Sequence, residues 1–183
     1  MERENTMAFS EIPRFTRNLR HKGFTLIEVL TSLAVASILL TAAVPAMQDF
    51  IIRNRMSTEV NTFMASVYLA RSEAVKRLQD VSLCPTSTGI ACDSSNNWDE
   101  GWIVYADLDN DNTYSSGDVV IQQNPKLPAR FTNTGNITFI TFNPRGSSNA
   151  GSFNFTDTGG IANPRCLTVS NAGRSYVSAG SCT

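Results

Sequence analysis

The sequence predicts an α+β protein, in which one long N-terminal helix packs on a small antiparallel β domain. Two features predict the helix: an apolar run over residues 24–44, and an apolar stripe at three- and four-residue steps that continues to Leu78. From Val81 onward, short β-rich runs alternate with clusters of Gly, Asn, Asp, Ser and Pro. Because no helical pattern separates these runs, we expect an antiparallel sheet.

Residues 1–23 are polar and become basic towards their end, and the 21 residues that follow carry one charge, Glu28. As a helix, this apolar run is about 32 Å long, which is enough to cross the core of a bilayer. A secretory signal peptide would place its small cleavage-site residue after the apolar run, whereas Gly23 precedes it. A plain membrane anchor has no reason to keep a carboxylate in its apolar segment.

Residues 22–30, KGFTLIEVL, resemble the class III signal of type IV prepilins and type II secretion pseudopilins. The resemblance implies that residues 1–23 are a leader, that a prepilin peptidase cleaves after Gly23, and that Phe24 is N-methylated. It also implies an assembly role for Glu28, whose carboxylate would pair in the filament core with the N-terminal amine of a neighbouring subunit. Translation starts at Met1 or at Met7, and the mature chain is the same in both cases.

The charge around the apolar run predicts its orientation. Four Arg and Lys residues lie within ten positions before Phe24, and the positive-inside rule keeps such a segment in the cytoplasm. We therefore expect a single-pass inner-membrane precursor with a periplasmic C-terminal domain. The resemblance implies that this domain becomes part of an extracellular pilus after assembly.

Beyond Pro45 the stripe predicts that the helix continues, kinked at the proline, to about Gln79. Residues 24–44 are then the membrane or filament core, and the second half of the helix packs on the globular part. We divide the chain into a leader (1–23), a long helix (24–80) and a β-rich periplasmic domain (81–183). The stripe consists of Met56, Val60, Phe63, Met64, Val67, Ala70, Ala74, Val75 and Leu78.

Six strands are predicted in the β domain, at residues 101–106, 119–123, 137–142, 151–155, 166–170 and 175–177. All four cysteines follow the membrane segment, and an even count in an oxidising compartment favours disulfides. Of the three possible connectivities we favour Cys84–Cys92 and Cys166–Cys182, because each closes a short local loop. A zinc site is disfavoured, since the sequence has no Cys-x-x-Cys spacing and no histidine after the leader.

The globular part is similar to minor pilins and pseudopilins of the GspH/FimT family. The similarity rests on residues 70–77, Trp98, residues 101–107, residues 140–146, Gly173 and Arg174. It implies a type IV pilin-like fold and a role in assembly rather than catalysis. Because the single histidine, His21, lies in the predicted leader, the mature chain has no Ser-His-Asp triad and no Cys-His pair, and we expect no enzyme.

Three functions are compatible with this resemblance. We favour a minor type IV pilin at the tip or in the initiation of a pilus, with other pilins, the prepilin peptidase and the inner membrane as partners. The alternatives are an H-type pseudopilin of type II secretion and a DNA-binding minor pilin of natural transformation. DNA-binding members carry Gly-Arg-x-Arg near the C-terminus, and here Tyr176 follows Gly173-Arg174-Ser175 in place of the second arginine.

Net charge argues against long-range attraction to DNA. Removing residues 1–23 leaves 10 Lys and Arg against 13 Asp and Glu, a formal charge of about −3. A local patch of Arg145, Arg165 and Arg174 remains the alternative, extended by Lys126 and Arg130. In that hypothesis Tyr176 stacks on a base. We interpret these arginines instead as separate solvated charges.

Residues 107–118 form an acidic loop with oxygen ligands at positions 1, 3, 5, 9 and 12 of twelve. This spacing resembles an EF-hand calcium loop, with Asp107, Asp109, Asp111 and Asp118 as the carboxylates. Asn112 stands at the position of the usual glycine, and Asp118 at that of the bidentate glutamate. We interpret the segment as a turn-rich loop without a cofactor, with a structural calcium ion as the alternative.

Overall fold

The computed structural model describes residues 23–183. It contains one helix followed by eight strands, and the residues from Ala43 to Thr183 form one compact unit. The elements are α1 (Leu26–Arg77), β1 (Val81–Pro85), β2 (Trp102–Ala106), β3 (Val119–Asn124), β4 (Phe131–Gly135), β5 (Ile140–Phe142), β6 (Gly151–Asp157), β7 (Arg165–Val169) and β8 (Ser175–Ala179).

The strands form two antiparallel four-stranded sheets, where we expected one. The first has the order β3-β2-β1-β5 and the second the order β4-β6-β7-β8. Strands β1 and β2 are buried along their whole length, whereas β6 alternates between buried and half-buried residues. One face of the second sheet therefore packs inward and the other remains accessible.

The second half of α1 supplies the centre of the core. Its buried side chains recur at steps of three and four residues, as the stripe predicts. The phenyl ring of Phe63 lies between both sheets, with ring centroids 5.1 Å from Trp102 and 4.8 Å from Phe153. The stripe is shorter than predicted, because Val75 and Leu78 are exposed at its C-terminal end.

Helix α1 runs through Pro45 and ends at Arg77, two residues before the predicted end. Two strands, β1 and β4, are missing from the sequence prediction. Strand β1 ends in a proline, and β4 reads Phe-Thr-Asn-Thr-Gly, a composition typical of turns. The strand predicted at residues 137–142 is shorter in the structure and begins at Ile140. The carbonyl of Ile137 accepts a hydrogen bond from the Trp98 indole (3.1 Å) instead of from a neighbouring strand.

Candidate functional site

The N-terminal end of α1 is built around a threonine cap. Thr25 Oγ1 accepts a hydrogen bond from the Glu28 amide (3.3 Å), and the Thr25 carbonyl accepts one from the Val29 amide (3.2 Å). The first bond satisfies an amide that the first turn of a helix leaves free, and the second is the first regular hydrogen bond of the helix. Gly23 and Phe24 lie exposed before the cap, whereas the remainder of the predicted leader, residues 1–22, lies outside the described residues.

The carboxylate of Glu28 is exposed and makes no ion pair within residues 23–183. The backbone carbonyl of Glu28 accepts hydrogen bonds from Thr31 Oγ1 (3.0 Å) and Ser32 Oγ (2.7 Å). The carboxylate itself is therefore free to pair with a group from another molecule. Phe24 precedes α1, and Glu28 is in the first turn of the helix.

The apolar segment after Glu28 is exposed on every side. From Leu26 to Phe50 each residue is solvent-accessible within the described chain, and α1 is long and apolar enough to cross a membrane. Apolar surface of this extent is stable only when lipid or another protein covers it. The segment thus needs a cover that residues 23–183 do not supply.

The structure brings two of the four predicted DNA-contacting residues together. Arg145 and Arg174 are exposed in two turns that pack side by side: the Ser148 amide in one turn donates to the Asn171 carbonyl in the other (3.0 Å). A third arginine, Arg71 of α1, donates from Nη2 to the Ala172 carbonyl (3.4 Å). The sequence does not indicate that Arg71 belongs to this group, because the helical pattern shows only that Arg71 is next to the buried stripe of α1.

Tyr176 is exposed on β8, two positions after Arg174, whereas Arg165 lies elsewhere. Arg165 is at the open end of the β7–β8 hairpin, opposite Ala179, whereas Arg174 is in the turn at the closed end. Arg165 lines a small cavity together with Arg53 of α1. The prediction of one patch formed by Arg145, Arg165 and Arg174 therefore does not match this arrangement.

Lys126 and Arg130, the suggested extension of the patch, form ion pairs. Lys126 Nζ pairs with Glu100 (2.5 Å), and Arg130 Nε pairs with Asp157 Oδ1 (2.6 Å). Their positive charges are therefore locally compensated. Within the described chain, the Arg71, Arg145 and Arg174 side chains make no ion pair with a carboxylate.

Gly173, which precedes Arg174, has a packing role. Its φ is +70°, and a Cβ at this position would overlap the carbonyl oxygen of Gly146 in the adjacent turn. Only glycine meets both conditions without strain. The Gly173-Arg174 pair is thus explained by turn packing, and the glycine by itself is no evidence for DNA binding.

In the acidic loop, Asp107, Asp109 and Asp118 bring carboxylate oxygens within 4.8 Å of one another. Asp111 is outside this group, and its Oδ1 accepts the Thr113 amide (2.7 Å). Asn112 adopts a left-handed φ of +59°, the conformation that the glycine of a calcium loop supplies. The departure noted at Asn112 in the sequence therefore does not prevent the turn.

Two of these carboxylates are already engaged by the backbone. The carboxylate of the buried Asp107 accepts hydrogen bonds from the backbone amides of Asp111 (3.2 Å) and Asn112 (2.9 Å). The carboxylate of Asp118 accepts hydrogen bonds from the backbone amides of Leu108 (2.8 Å) and Ser115 (2.7 Å). Burial raises the pKa of Asp107 above its usual value, although the amides oppose the shift, and the nearby Asp118 charge adds to it. The loop is held together by its own hydrogen bonds, and its three convergent carboxylates are hard oxygen ligands that suit calcium.

Both disulfides join the cysteines that the sequence favoured. Cys84 is bonded to Cys92 and Cys166 to Cys182, and no cysteine in the chain is free. The first bridge holds the loop after β1 against β2, in a small cluster with Ile103. The second holds the C-terminal segment against β7.

A buried ion pair holds the loop between β6 and β7 and was not expected from the sequence. The Asp157 carboxylate accepts hydrogen bonds from the backbone amides of Gly159, Ile161 and Ala162. It also forms an ion pair with Arg130. Burial alone would raise the pKa of Asp157, but the Arg130 guanidinium and the three amides lower it to about 2. The Asp-Thr-Gly-Gly sequence indicates the turn but not its cationic partner, which is 27 positions away.

Two family models match the chain. The model described as type II transport protein GspH matches residues 59–173, and that of the prokaryotic N-terminal methylation motif matches residues 18–44. No curated protein matches the chain. The first match covers α1 from its buried half onward and reaches the turn before β8, and the second covers the apolar segment and the residues before it.

Solved structures with the same fold are filament subunits. FimU, a type IV minor pilin of Pseudomonas aeruginosa strain PAO1, is 22% identical, with a TM-score of 0.57 over 73% of this chain and 99% of its own. EpsH, a minor pseudopilin of the type 2 secretion system of Vibrio cholerae, is 9% identical, with a TM-score of 0.50 over 68% and 97%. The predicted fold class, a long helix on an antiparallel β domain of the type IV pilin kind, is confirmed.

Proposed function

The chain belongs to the type II transport protein GspH family, and we propose that it is a minor type IV pilin that takes part in pilus assembly at the tip or in initiation. The observation that supports this function best is the apolar part of α1. It is preceded by Gly23 and Phe24, contains one unpaired carboxylate, and is exposed on every side within the described chain. Such a segment is suited first to lipid and then to the core of a filament.

Assembly, in this proposal, starts with removal of residues 1–23 by a prepilin peptidase and methylation of Phe24. Cleavage creates an amine at the beginning of α1, and the Glu28 carboxylate of a neighbouring subunit pairs with such an amine. Since a lone charge in an apolar filament core is costly, only the register that forms this pair is favourable. The β domain remains outside the core and makes the specific contacts with other subunits.

Filament incorporation tests this role. Glu28→Gln removes the charge with almost no change in volume, and Glu59→Gln on the same helix is the matched control. We expect Glu28→Gln to reduce the chain in sheared filaments at least about tenfold, because it leaves the N-terminal amine buried without its partner, at a cost of more than about 1.4 kcal/mol. Equal incorporation of the wild type and Glu28→Gln would overturn the role of Glu28 in register.

A type II secretion pseudopilin is the alternative within the same class, and it has the same mechanism of processing and assembly. Deleting the gene distinguishes the two. Loss of surface pili with normal secretion of exoproteins supports the pilus. Loss of secretion with normal pili assigns the chain to the secretion apparatus.

DNA binding is a second candidate function, supported by the grouping of Arg71, Arg145 and Arg174 around two packed turns. Three guanidinium groups without carboxylate partners in the described chain can contact successive phosphates. Duplex DNA is titrated into the full chain in lipid nanodiscs, at low and moderate salt. We expect Arg174→Gln to weaken binding and the matched control Arg165→Gln, at the other end of the hairpin, to leave it unchanged. No binding at low salt would exclude this function for the chain acting alone.

A further inference from the structure

A cavity of about 310 Å³ lies on the accessible face of the β4-β6-β7-β8 sheet. The inward side chains of these strands, such as Phe153 and Leu167, belong to the core. Residues of the opposite pleat, among them Ser152, Thr168 and Tyr176, line the cavity together with the C-terminal segment. The volume is within the range of small-ligand sites in proteins.

Strand register places three polar side chains of the cavity in one row. Ser152 of β6 is opposite Thr168 of β7, and Thr168 is opposite Tyr176 of β8. Adjacent strands are about 4.8 Å apart, so the row spans roughly 10 Å, the width of two strand spacings. Tyr176 is at the end of the row on an edge strand and is 56% exposed.

Several polar groups at the cavity have no partner in the described chain. The Ser152 hydroxyl, the Tyr176 hydroxyl and the Asn136 side-chain amide nitrogen make no hydrogen bond to residues 23–183, and Thr168 Oγ1 contacts only Cys166 Sγ (3.6 Å). These groups together offer both donors and acceptors. They are available to a ligand that itself carries several hydroxyl groups.

The cavity is formed before any ligand binds. Asn136 Oδ1 accepts a hydrogen bond from the Ser152 backbone amide (2.8 Å), and the Asn136 backbone amide donates one to the Ser152 carbonyl (3.0 Å). On the other side, the Cys166–Cys182 disulfide holds the C-terminal segment to β7, and the Cys182 amide donates to Asn154 Oδ1 (3.3 Å). A ligand therefore does not have to order this surface when it binds, which lowers the cost of binding.

The chemistry of the lining selects the class of ligand. None of the side chains that line the cavity is charged, so a nucleic acid would find no cationic side chain for its phosphates and a metal ion would find no aspartate or glutamate. The lining is also too polar for an apolar peptide. A sugar ring fits both features, because its C–H face packs on an aromatic ring while its hydroxyl groups form hydrogen bonds at the edge.

We propose that this cavity binds a neutral oligosaccharide, with one sugar ring on Tyr176 and hydrogen bonds from the ligand to Ser152, Thr168 and Asn136. The site uses none of the residues of the apolar segment. Tyr176 then serves the neutral cavity and not the arginine group, although Arg174 is close to it along the chain. The pilin domain would thereby contact a neutral glycan at a cell or matrix surface.

The test uses the full chain in lipid nanodiscs, titrated with chitotetraose, cellotetraose and maltotetraose, with saturation-transfer NMR and calorimetry as readouts. We expect saturable binding of at least one tetrasaccharide, unchanged when salt is raised from about 50 to 200 mM because the contact is uncharged. Tyr176→Ala should weaken it about tenfold, the order of one aromatic contact and the hydrogen bonds it positions. Thr168→Val should weaken it several-fold.

Thr132→Val is the matched control, because Thr132 is on β4, opposite Thr156, and does not line the cavity. It should bind the sugar as the wild type does. Since Tyr176 is exposed, its substitution should also leave the melting temperature unchanged, which separates lost binding from unfolding. Absence of binding to all three tetrasaccharides, or equal binding by Tyr176→Ala, would overturn the proposal, as would salt-sensitive binding that Arg174→Gln abolishes.

Discussion

The two halves of α1 have the same secondary structure but are stabilised in different ways. Residues 26–44 are apolar around the whole helix and exposed in the described chain, whereas Met56–Ala74 bury one stripe against both sheets. Helix propensity does not separate the halves, because both are rich in good helix formers. The halves differ in what covers their apolar side chains. The two sheets cover the second half, whereas the first half is exposed in the described residues and needs lipid or another protein to cover it.

The comparison shows that the hydrophobic pattern of a helix indicates whether its apolar side chains pack within the domain or against a partner outside it. A single stripe predicts packing within the domain, and an apolar helix without a polar face predicts a partner outside it. In the proposed filament, the carboxylate of Glu28 adds a second requirement to the first half, because the neighbouring subunit then supplies a positive charge. Substitutions in the second half should therefore change folding, and substitutions in the first half should change assembly.

Phe63→Ala should have the largest effect, because it removes the side chain that both sheets contact. We expect a loss of about 3–5 kcal/mol in the free energy of unfolding of the β domain. Chemical denaturation of the full chain in nanodiscs, followed by tryptophan fluorescence, measures it. Val75→Ala on the exposed side of the same helix is the control and should change stability by less than about 0.5 kcal/mol. Equal effects of the two would contradict the assigned stripe.

Removing a disulfide should be the next largest effect. Cys166 and Cys182 are 16 positions apart and Cys84 and Cys92 are 8 apart, so loop-closure entropy gives about 3 and about 2.5 kcal/mol. The paired variants Cys166→Ser/Cys182→Ser and Cys84→Ser/Cys92→Ser should both lower the melting temperature of the β domain. Neither should affect membrane insertion of the first half of α1, which is read from the membrane fraction. A loss of insertion in either variant would show that the halves are not independent.

Asp157→Asn tests the ion pair that holds the β6–β7 loop. We expect a loss of about 2 kcal/mol at neutral pH, because the hydrogen bonds to a charged acceptor become bonds to a neutral one. The pKa of Asp157 is lowered from 3.8 to about 2 in the folded chain. Its contribution is therefore complete above about pH 4 and is lost as pH falls towards 2. Denaturation curves between pH 2 and 7 should show that the difference between wild type and variant shrinks with acidity, and a constant difference would contradict this role.

Calcium should have the smallest effect. Four backbone amides already donate hydrogen bonds to the carboxylates of Asp107 and Asp118, which gives the acidic loop a source of stability other than a cation. We expect the melting temperature in millimolar calcium to equal that in chelator within about 1 °C, a shift too small to reflect a bound structural ion. A rise of several degrees that Asp109→Asn abolishes would assign a structural calcium ion to the loop.

The sequence predicted the fold class, the stripe on α1 and the pairing of the cysteines, because each depends on local spacing and composition. Strands β1 and β4 could not be predicted in this way. Asn133 of β4 is fully buried, and its strand is formed by pairing with β6, in which Asn133 is opposite Phe155, 22 positions away. Propensity is a poor guide where distant pairing and packing determine the conformation.

The candidate sites divide in the same way. Gly23, Phe24 and Glu28 form one local motif that is legible from the sequence, whereas the group of Arg71, Arg145 and Arg174 exists only because two turns and a helix meet. The sequence favoured separate solvated charges and offered a patch of Arg145, Arg165 and Arg174 as the alternative, but the β7–β8 hairpin places Arg165 at the end opposite to Arg174. Charge composition alone does not indicate which residues share a surface.

Processing at Gly23 is tested by the mass of the N-terminal peptide of the chain, purified from cell membranes and from sheared filaments. We expect the peptide to begin with N-methylated Phe24 in both fractions, and Gly23→Leu to accumulate the uncleaved form in membranes and to be missing from filaments. The intact leader in filaments, or an N-terminus beyond the apolar segment, would contradict a pilin-type subunit in which the first half of α1 builds the core.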